Sequence, residues 1–130
     1  MTPASSKDRG HLATLQLVVE VQKRDWLALW PEGDNAPYDI MVEPEPGKFI
    51  RVQVKSCREM DAKGRHSYVI GHGSDHTKRY SKKTVDIMAL YAFDTNEWYF
   101  VPVEKTYGYS NLHISQKGKW AAFKNNWGAF

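Results

Sequence analysis

The most regular pattern in the chain lies at 48–57, where Ile50, Val52 and Val54 alternate with Arg51, Gln53 and Lys55. A period of two sends successive side chains to opposite faces of a strand, so the aliphatic set is expected to face the core and the polar set to face away. Tyr38 to Glu43 predicts a second strand, ended by Pro44 and Pro46, and with Gly47 closing the turn the stretch 38–56 reads as a hairpin. Upstream, from Asp8 to Asp25, Leu12, Leu15, Val18 and Val19 recur at steps of three and four without a proline. This predicts an amphipathic helix whose polar side carries Gln16, Glu20, Lys23 and Arg24. Leu27 to Trp30 predicts a short strand stopped by Pro31, followed by a loop dense in turn residues from Glu32 to Pro37.

Downstream, Ser67 to Ile70 is strand-like. Val85 to Phe93 and Trp98 to Val103 should pair through Asp94-Thr95-Asn96-Glu97, which has hairpin length and chemistry. Lys117 to Trp127, bounded by Gly118 and Gly128, predicts a short helix with Trp120, Phe123 and Trp127 on one side, and aromatics at that spacing are read as core before they are read as base-stacking groups. There is no internal repeat. The 130 residues suit one domain spanning 1–130, with residues 1–8 expected as a flexible tail.

Composition narrows the class. With 42% hydrophobic and 25% charged residues, the chain is neither disordered nor collagen-like. No apolar run approaches the roughly 18 residues of a membrane span. Residues 1–9 lack the apolar core of a secretory signal and Cys57 is the sole cysteine, so a cytoplasmic protein without a disulfide framework is expected. Without a positioned base, Cys57 is read as a small, partly buried residue rather than a nucleophile. The net charge of +3 resides wholly in the second half, where Lys78, Arg79, Lys82 and Lys83 cluster. Such a cluster suits a polyanion, and equally a solvated turn. His72, Asp75 and His76, with His66 nearby, have spacing that would align metal ligands only on a helix, and the glycines among them argue for a loop.

Chemistry enters at the hairpin. Gln53 and Lys55 leave the same face of their strand, and folding the hairpin sets Asp39 beside Gln53, within the roughly 5 Å of cross-strand neighbours. A carboxylate and a carbonyl oxygen are hard ligands suited to magnesium, which keeps waters and accepts phosphate oxygens. A lysine beside them can steady developing negative charge or orient an attacking water. The set suits phosphodiester hydrolysis; the plainer alternative is the wet face of a half-exposed sheet, with Asp39 capping a turn.

The run Pro37-Tyr38-Asp39-Ile40-Met41-Val42, followed by Phe49-Ile50-Arg51-Val52-Gln53-Val54-Lys55-Ser56, resembles the PD-(D/E)XK nuclease signature in the variant with glutamine at the second acidic position. It is similar to the branch that contains group I intron homing endonucleases. Flanking features agree: a leading helix opened by Arg9-Gly10, Trp30 to Asp34 before the aspartate, Tyr80 to Asp86 before a strand, and Trp98 to Pro102 after it. The resemblance implies an α/β, restriction-endonuclease-like core, a mixed central sheet flanked by α-helices. It implies Asp39 and Gln53 as metal ligands and Lys55 as the catalytic lysine. The expected activity is a Mg2+- or Mn2+-dependent, site-specific DNA endonuclease of the homing type, acting on double-stranded DNA as a homodimer or homotetramer. In such an enzyme Lys78, Arg79, Lys82 and Lys83, with the histidine loop, would contact phosphates, and aromatics such as Trp98, Tyr99, Tyr107, Tyr109 and Phe130 could line a subunit interface. A DNA- or junction-binding protein that does not cut, or a structure-selective Holliday-junction resolvase or repair nuclease, is the alternative. One departure stands out: where this branch carries a metal-binding glutamate on its first helix, this chain has Thr14. Glu20 lies off that face, and Glu43 and Asp34 are the remaining acidic candidates.

Overall fold

The computed structural model describes residues 2–71 and 78–130, so His72, Asp75 and His76 lie outside the described residues. Helix α1 spans Ser6–Lys23. The Ser5 hydroxyl accepts the Asp8 backbone N–H at 3.1 Å, and Asp8 in the first turn and Lys23 in the last complement the helix dipole. The helix therefore takes in residues 6–8, which were expected to belong to a loose tail. Its buried stripe is Ala13, Thr14, Leu17 and Val21, while Leu15 and Val19 face outward. The helix thus sits in a different phase from that expected from Leu12, Leu15 and Val19. Two apolar series run along this segment at helical spacing, and the small Ala13 side chain lets the helix settle closely onto a sheet.

Among the described residues seven strands follow: β1 (Leu27–Leu29), β2 (Ile40–Glu45), β3 (Lys48–Cys57), β4 (His66–Val69), β5 (Ile87–Ala92), β6 (Glu97–Pro102) and β7 (Asn111–Ile114). Five form a mixed sheet in the order β1-β2-β3-β5-β6, with β3 and β5 parallel and the other pairs antiparallel. β4 and β7 make a separate antiparallel pair. The alternation read at 50–55 holds: Ile50, Val52 and Val54 pack under α1 with Ile40, Val42, Ala89 and Phe100. The opposite face of the sheet buries Met88, Leu90, Tyr99 and Val101 against Tyr68, Ile70, Leu112 and Ile114. Because β5 is covered on both faces, it is apolar throughout and does not alternate. The architecture is the α/β mixed-sheet core expected from the sequence: among the described residues α1 covers one face of the sheet, and the β4–β7 pair with short turns covers the other. β7 had no counterpart in the sequence reading.

The closing segment is not the expected helix. It consists of two single 3-10 turns, Ala121–Phe123 and Trp127–Ala129, separated by Asn125 at φ 47°. The Asn125 N–H donates to the Trp98 carbonyl at 2.7 Å and its side-chain oxygen accepts the Trp98 N–H at 3.0 Å, lashing the chain to the edge of β6. Trp120 consequently packs on the β4–β7 side, while Trp127 and Phe130 pack against Phe100 at 4.5 and 5.0 Å on the α1 side. Trp98, Tyr99 and Phe130 are core residues, so they are not surplus apolar area for an interface. Among the described residues, no helix is long and apolar enough to cross a membrane.

Candidate functional site

Asp39 immediately precedes β2 and is fixed to β3 at both ends. Its N–H donates to the Val52 carbonyl at 2.9 Å, and its Oδ2 accepts the Val54 N–H at 2.8 Å. Ile40 pairs with Val52, so the register sets Asp39 opposite Gln53, as the hairpin predicted. Glu43 tightens that hairpin by accepting the Gly47 N–H at 2.9 Å, and Gly47 takes the φ of +86° that the turn demands. Asp39 and Gln53 line one cleft of about 310 Å³, whose far wall is the first turns of α1: Ser6, Lys7, Gly10, His11 and Thr14. Among the described residues, neither Asp39 Oδ1 nor the Gln53 amide makes a hydrogen bond, so both remain available to a ligand.

Lys55 leaves β3 on the Gln53 side. Its ammonium lies 5.2 Å from the centroid of the Tyr80 ring, within cation–π range. Burial pushes the Asp39 carboxyl above the usual range, opposed by the Val54 N–H and by the charge of Lys55. Burial likewise pulls the Lys55 ammonium below its usual value, opposed by Asp39. The Tyr80 phenol is pushed up to about 12, first by burial and then by the charge of Asp39. Asp39, Lys55 and Tyr80 therefore share one electrostatic neighbourhood, yet Asp39 and Lys55 form no ion pair. Sequence reading missed Tyr80; its only signal was an apolar ring inside a run of charges at 78–83.

The residues considered for the missing acidic ligand separate cleanly. Thr14 does line the cleft, but its hydroxyl donates to the Gly10 carbonyl at 3.0 Å. Glu20 turns away, pairing with Lys23 at 3.1 Å and Arg24 at 3.2 Å. Glu43 is spent on the hairpin turn. Asp34 lines an adjoining cleft that shares Trp30 and Asp39 but not Gln53. No three His, Cys, Asp or Glu side chains converge among the described residues.

Lys78, Arg79, Lys82 and Lys83 are exposed on the segment that buries Tyr80 beneath Lys55. The segment is held from β3: Arg51 makes a bidentate pair with Asp86, with Nε–Oδ2 and Nη2–Oδ1 both at 3.0 Å. The same guanidinium donates to the carbonyls of Lys83 at 2.7 Å and Lys82 at 2.9 Å. Lys82 also lies 3.9 Å from Asp86 and 3.7 Å from Glu104. His66 is buried and hydrogen-bonds Asp94 at 2.7 Å, and the Cys57 thiol donates to the Glu59 carbonyl at 3.3 Å, so neither stands beside the cleft.

The sequence profile of the PD-(D/E)XK endonuclease family matches residues 4–121. No curated protein sequence matches the chain. Among solved structures the chain is similar to a bacterial homing endonuclease, I-Ssp6803I, at 23% identity and a TM-score of 0.78, covering 98% of this chain and 91% of that one. It is also similar to Hjc, a Holliday junction resolvase of the archaeal hyperthermophile Archaeoglobus fulgidus. There the identity is 18% and the TM-score 0.55, with 83% of this chain and 84% of that chain covered. At these identities the likeness is one of fold.

Proposed function

Because the chain belongs to the PD-(D/E)XK endonuclease family, we propose that it is a metal-dependent DNA endonuclease centred on Asp39, Gln53 and Lys55, cutting duplex DNA at a defined site. The observation that carries this reading is the shared cleft, in which a carboxylate and an amide oxygen, both unspent, lie opposite one another at the mouth of β3. The donor set fits a hard divalent cation such as magnesium or manganese, held by Asp39 Oδ1 and the Gln53 side-chain oxygen. When bound, that ion supplies charge neutralisation at the scissile phosphate and a more acidic water.

The chain's own groups do the rest. The Val54 N–H fixes the Asp39 carboxylate in one orientation, leaving one oxygen turned to the cleft. The Lys55 ammonium lies over the Tyr80 ring and feels the charge of Asp39 without forming an ion pair with it. From there Lys55 can donate to a phosphate oxygen as negative charge builds, or hold the attacking water in line. Lys78, Arg79, Lys82 and Lys83 border the Lys55 side and supply sequence-independent phosphate contacts. Incubation of supercoiled plasmid carrying a target site with Mg2+ or Mn2+ tests the reading. Native protein should linearise it, while Asp39→Ala and Lys55→Ala should bind DNA within a few-fold of native yet leave it intact. Loss of binding together with cutting would make these residues DNA contacts instead.

A second reading is favoured by one observation: among the described residues Asp39 is the single carboxylate in the cleft, with Thr14 where a second could stand. On that reading the fold binds DNA, including branched DNA, without cutting it. Tighter binding to a four-way junction than to linear duplex, with no cleavage in either cation, would establish it.

A further inference from the structure

The wall that α1 presents to Asp39 and Gln53 consists of Ser6, Lys7, Gly10, His11 and Thr14. Positions 7, 11 and 14 recur at steps of four and three, one stripe of the helix. Their chemistry differs sharply. Lys7 carries no lone pair, Ser6 offers a neutral hydroxyl at the rim, and the Thr14 hydroxyl is turned onto its own helix through the Gly10 carbonyl. His11 is the only side chain of the wall with an sp2 nitrogen lone pair, and no hydrogen bond or ion pair restrains it among the described residues. A second observation concerns the neighbouring position: nothing lies within 4 Å of where a Cβ on Gly10 would stand, so open space adjoins His11 along the helix. A solvated ion needs such room beside its protein ligands.

We propose that His11 is the third protein ligand of the cation site, placing an imidazole nitrogen opposite the Asp39 carboxylate and the Gln53 amide oxygen. The inference rests on the reading of this cleft as a cation site. A nitrogen donor changes which ion is preferred. Magnesium takes oxygen ligands, whereas imidazole favours the later divalent transition ions. With one carboxylate, one amide and one imidazole, the cleft selects cobalt over magnesium, with manganese, the weakest nitrogen binder of the transition series, between them.

The test uses the intact protein without DNA, titrated with Co2+, Mn2+ and Mg2+ by calorimetry, with the visible absorption of bound Co2+ as a second readout. His11 is exposed, so His11→Ala should leave the circular dichroism spectrum and melting temperature unchanged. It should weaken Co2+ binding by roughly ten-fold or more and Mn2+ binding by less, change the Co2+ spectrum, and leave Mg2+ binding within two-fold. His11→Glu should restore affinity and reverse the preference toward Mg2+. Asp39→Ala should abolish binding of all three ions. Unchanged Co2+ and Mn2+ binding in His11→Ala, with binding lost in Asp39→Ala, would overturn the role of His11 and leave the cation reading intact. Binding unchanged in both variants would overturn both. Weaker DNA binding by His11→Ala in EDTA, with an unaltered Co2+ spectrum, would overturn the proposal by making His11 a phosphate contact.

Discussion

Arg51 joins two segments that are 35 residues apart, and its removal should unfasten the basic segment from the sheet. Its side chain makes four hydrogen bonds, two to the Asp86 carboxylate and two to the Lys82 and Lys83 carbonyls. Side-chain exposures of 27% for Arg51 and 21% for Asp86 place the pair at the boundary of the core, where solvent recovers part of any lost interaction. Charge-assisted bonds are worth about 1.5–3 kcal/mol and neutral ones about 1, so after that discount Arg51→Ala should cost on the order of 3 kcal/mol. For a chain of this size that is roughly a 10 °C fall in melting temperature. Arg51→Lys keeps the charge but cannot span the carboxylate and both carbonyls, and should recover about half. The pair's contribution also depends on pH. Burial raises the Asp86 carboxyl, but the Arg51 bonds outweigh it and hold it below its ordinary 3.8. The stabilisation is therefore present above that value and lost as pH falls through the folded one, so native and Arg51→Ala should converge in acid. Thermal and urea unfolding measure the first effect, and the salt dependence of DNA binding measures displacement of the lysines. A loss under about 1 kcal/mol, with an unchanged salt slope, would refute the clamp.

Asp39 should work in the opposite sense. Its raised carboxyl means that the folded state holds the proton more tightly than the unfolded one, so folding is penalised above the raised value and relieved as pH falls through it. Asp39→Asn should therefore raise the melting temperature by a few degrees at pH 7 and by less near pH 4, a stability gain made at the expense of the proposed activity; equal shifts at both pH values would contradict the burial argument. In DNA binding, Lys83→Ala should flatten the logarithmic salt dependence by about 0.9. Lys82→Ala should do so by less, because Asp86 and Glu104 already compete for that ammonium; equal effects, or none, would show that these carboxylates do not set the difference. The homodimer or homotetramer that the family resemblance implies is expected as a dimer or larger species by light scattering at micromolar concentration, with edge strand β1 a candidate contact through the exposed Leu27 and Leu29; a monomeric mass with and without DNA would dismiss it.

What the sequence determined by itself was what neighbouring residues impose on one another. The alternation from Ile50 to Lys55 fixes which face each side chain takes whatever packs against it. Pro46 and Gly47 fix the turn that returns Asp39 to Gln53, so the pairing of those two residues was legible in the sequence, although β2 runs on through Pro44 to Glu45 with a register shift after Val42 instead of ending at Pro44. Asp94 to Glu97 set the β5–β6 hairpin for the same reason. Tertiary structure decided wherever local preference was degenerate or the partner lay far along the chain. The first helix offers two apolar series, and only docking on the sheet chose Ala13, Leu17 and Val21 over Leu15 and Val19. That choice of phase turned His11 and Thr14 into the cleft. The closing aromatics read as one helical face, but the two hydrogen bonds between Asn125 and Trp98 tie the segment to the edge of β6, and Trp120 and Trp127 lie on opposite sides of the sheet. Arg51 reaching Asp86, and Tyr80 reaching Lys55, depend on the parallel pairing of β3 with β5. A pairing between segments so distant leaves no periodic trace in either, because its energy is realised only once the loop between them has closed.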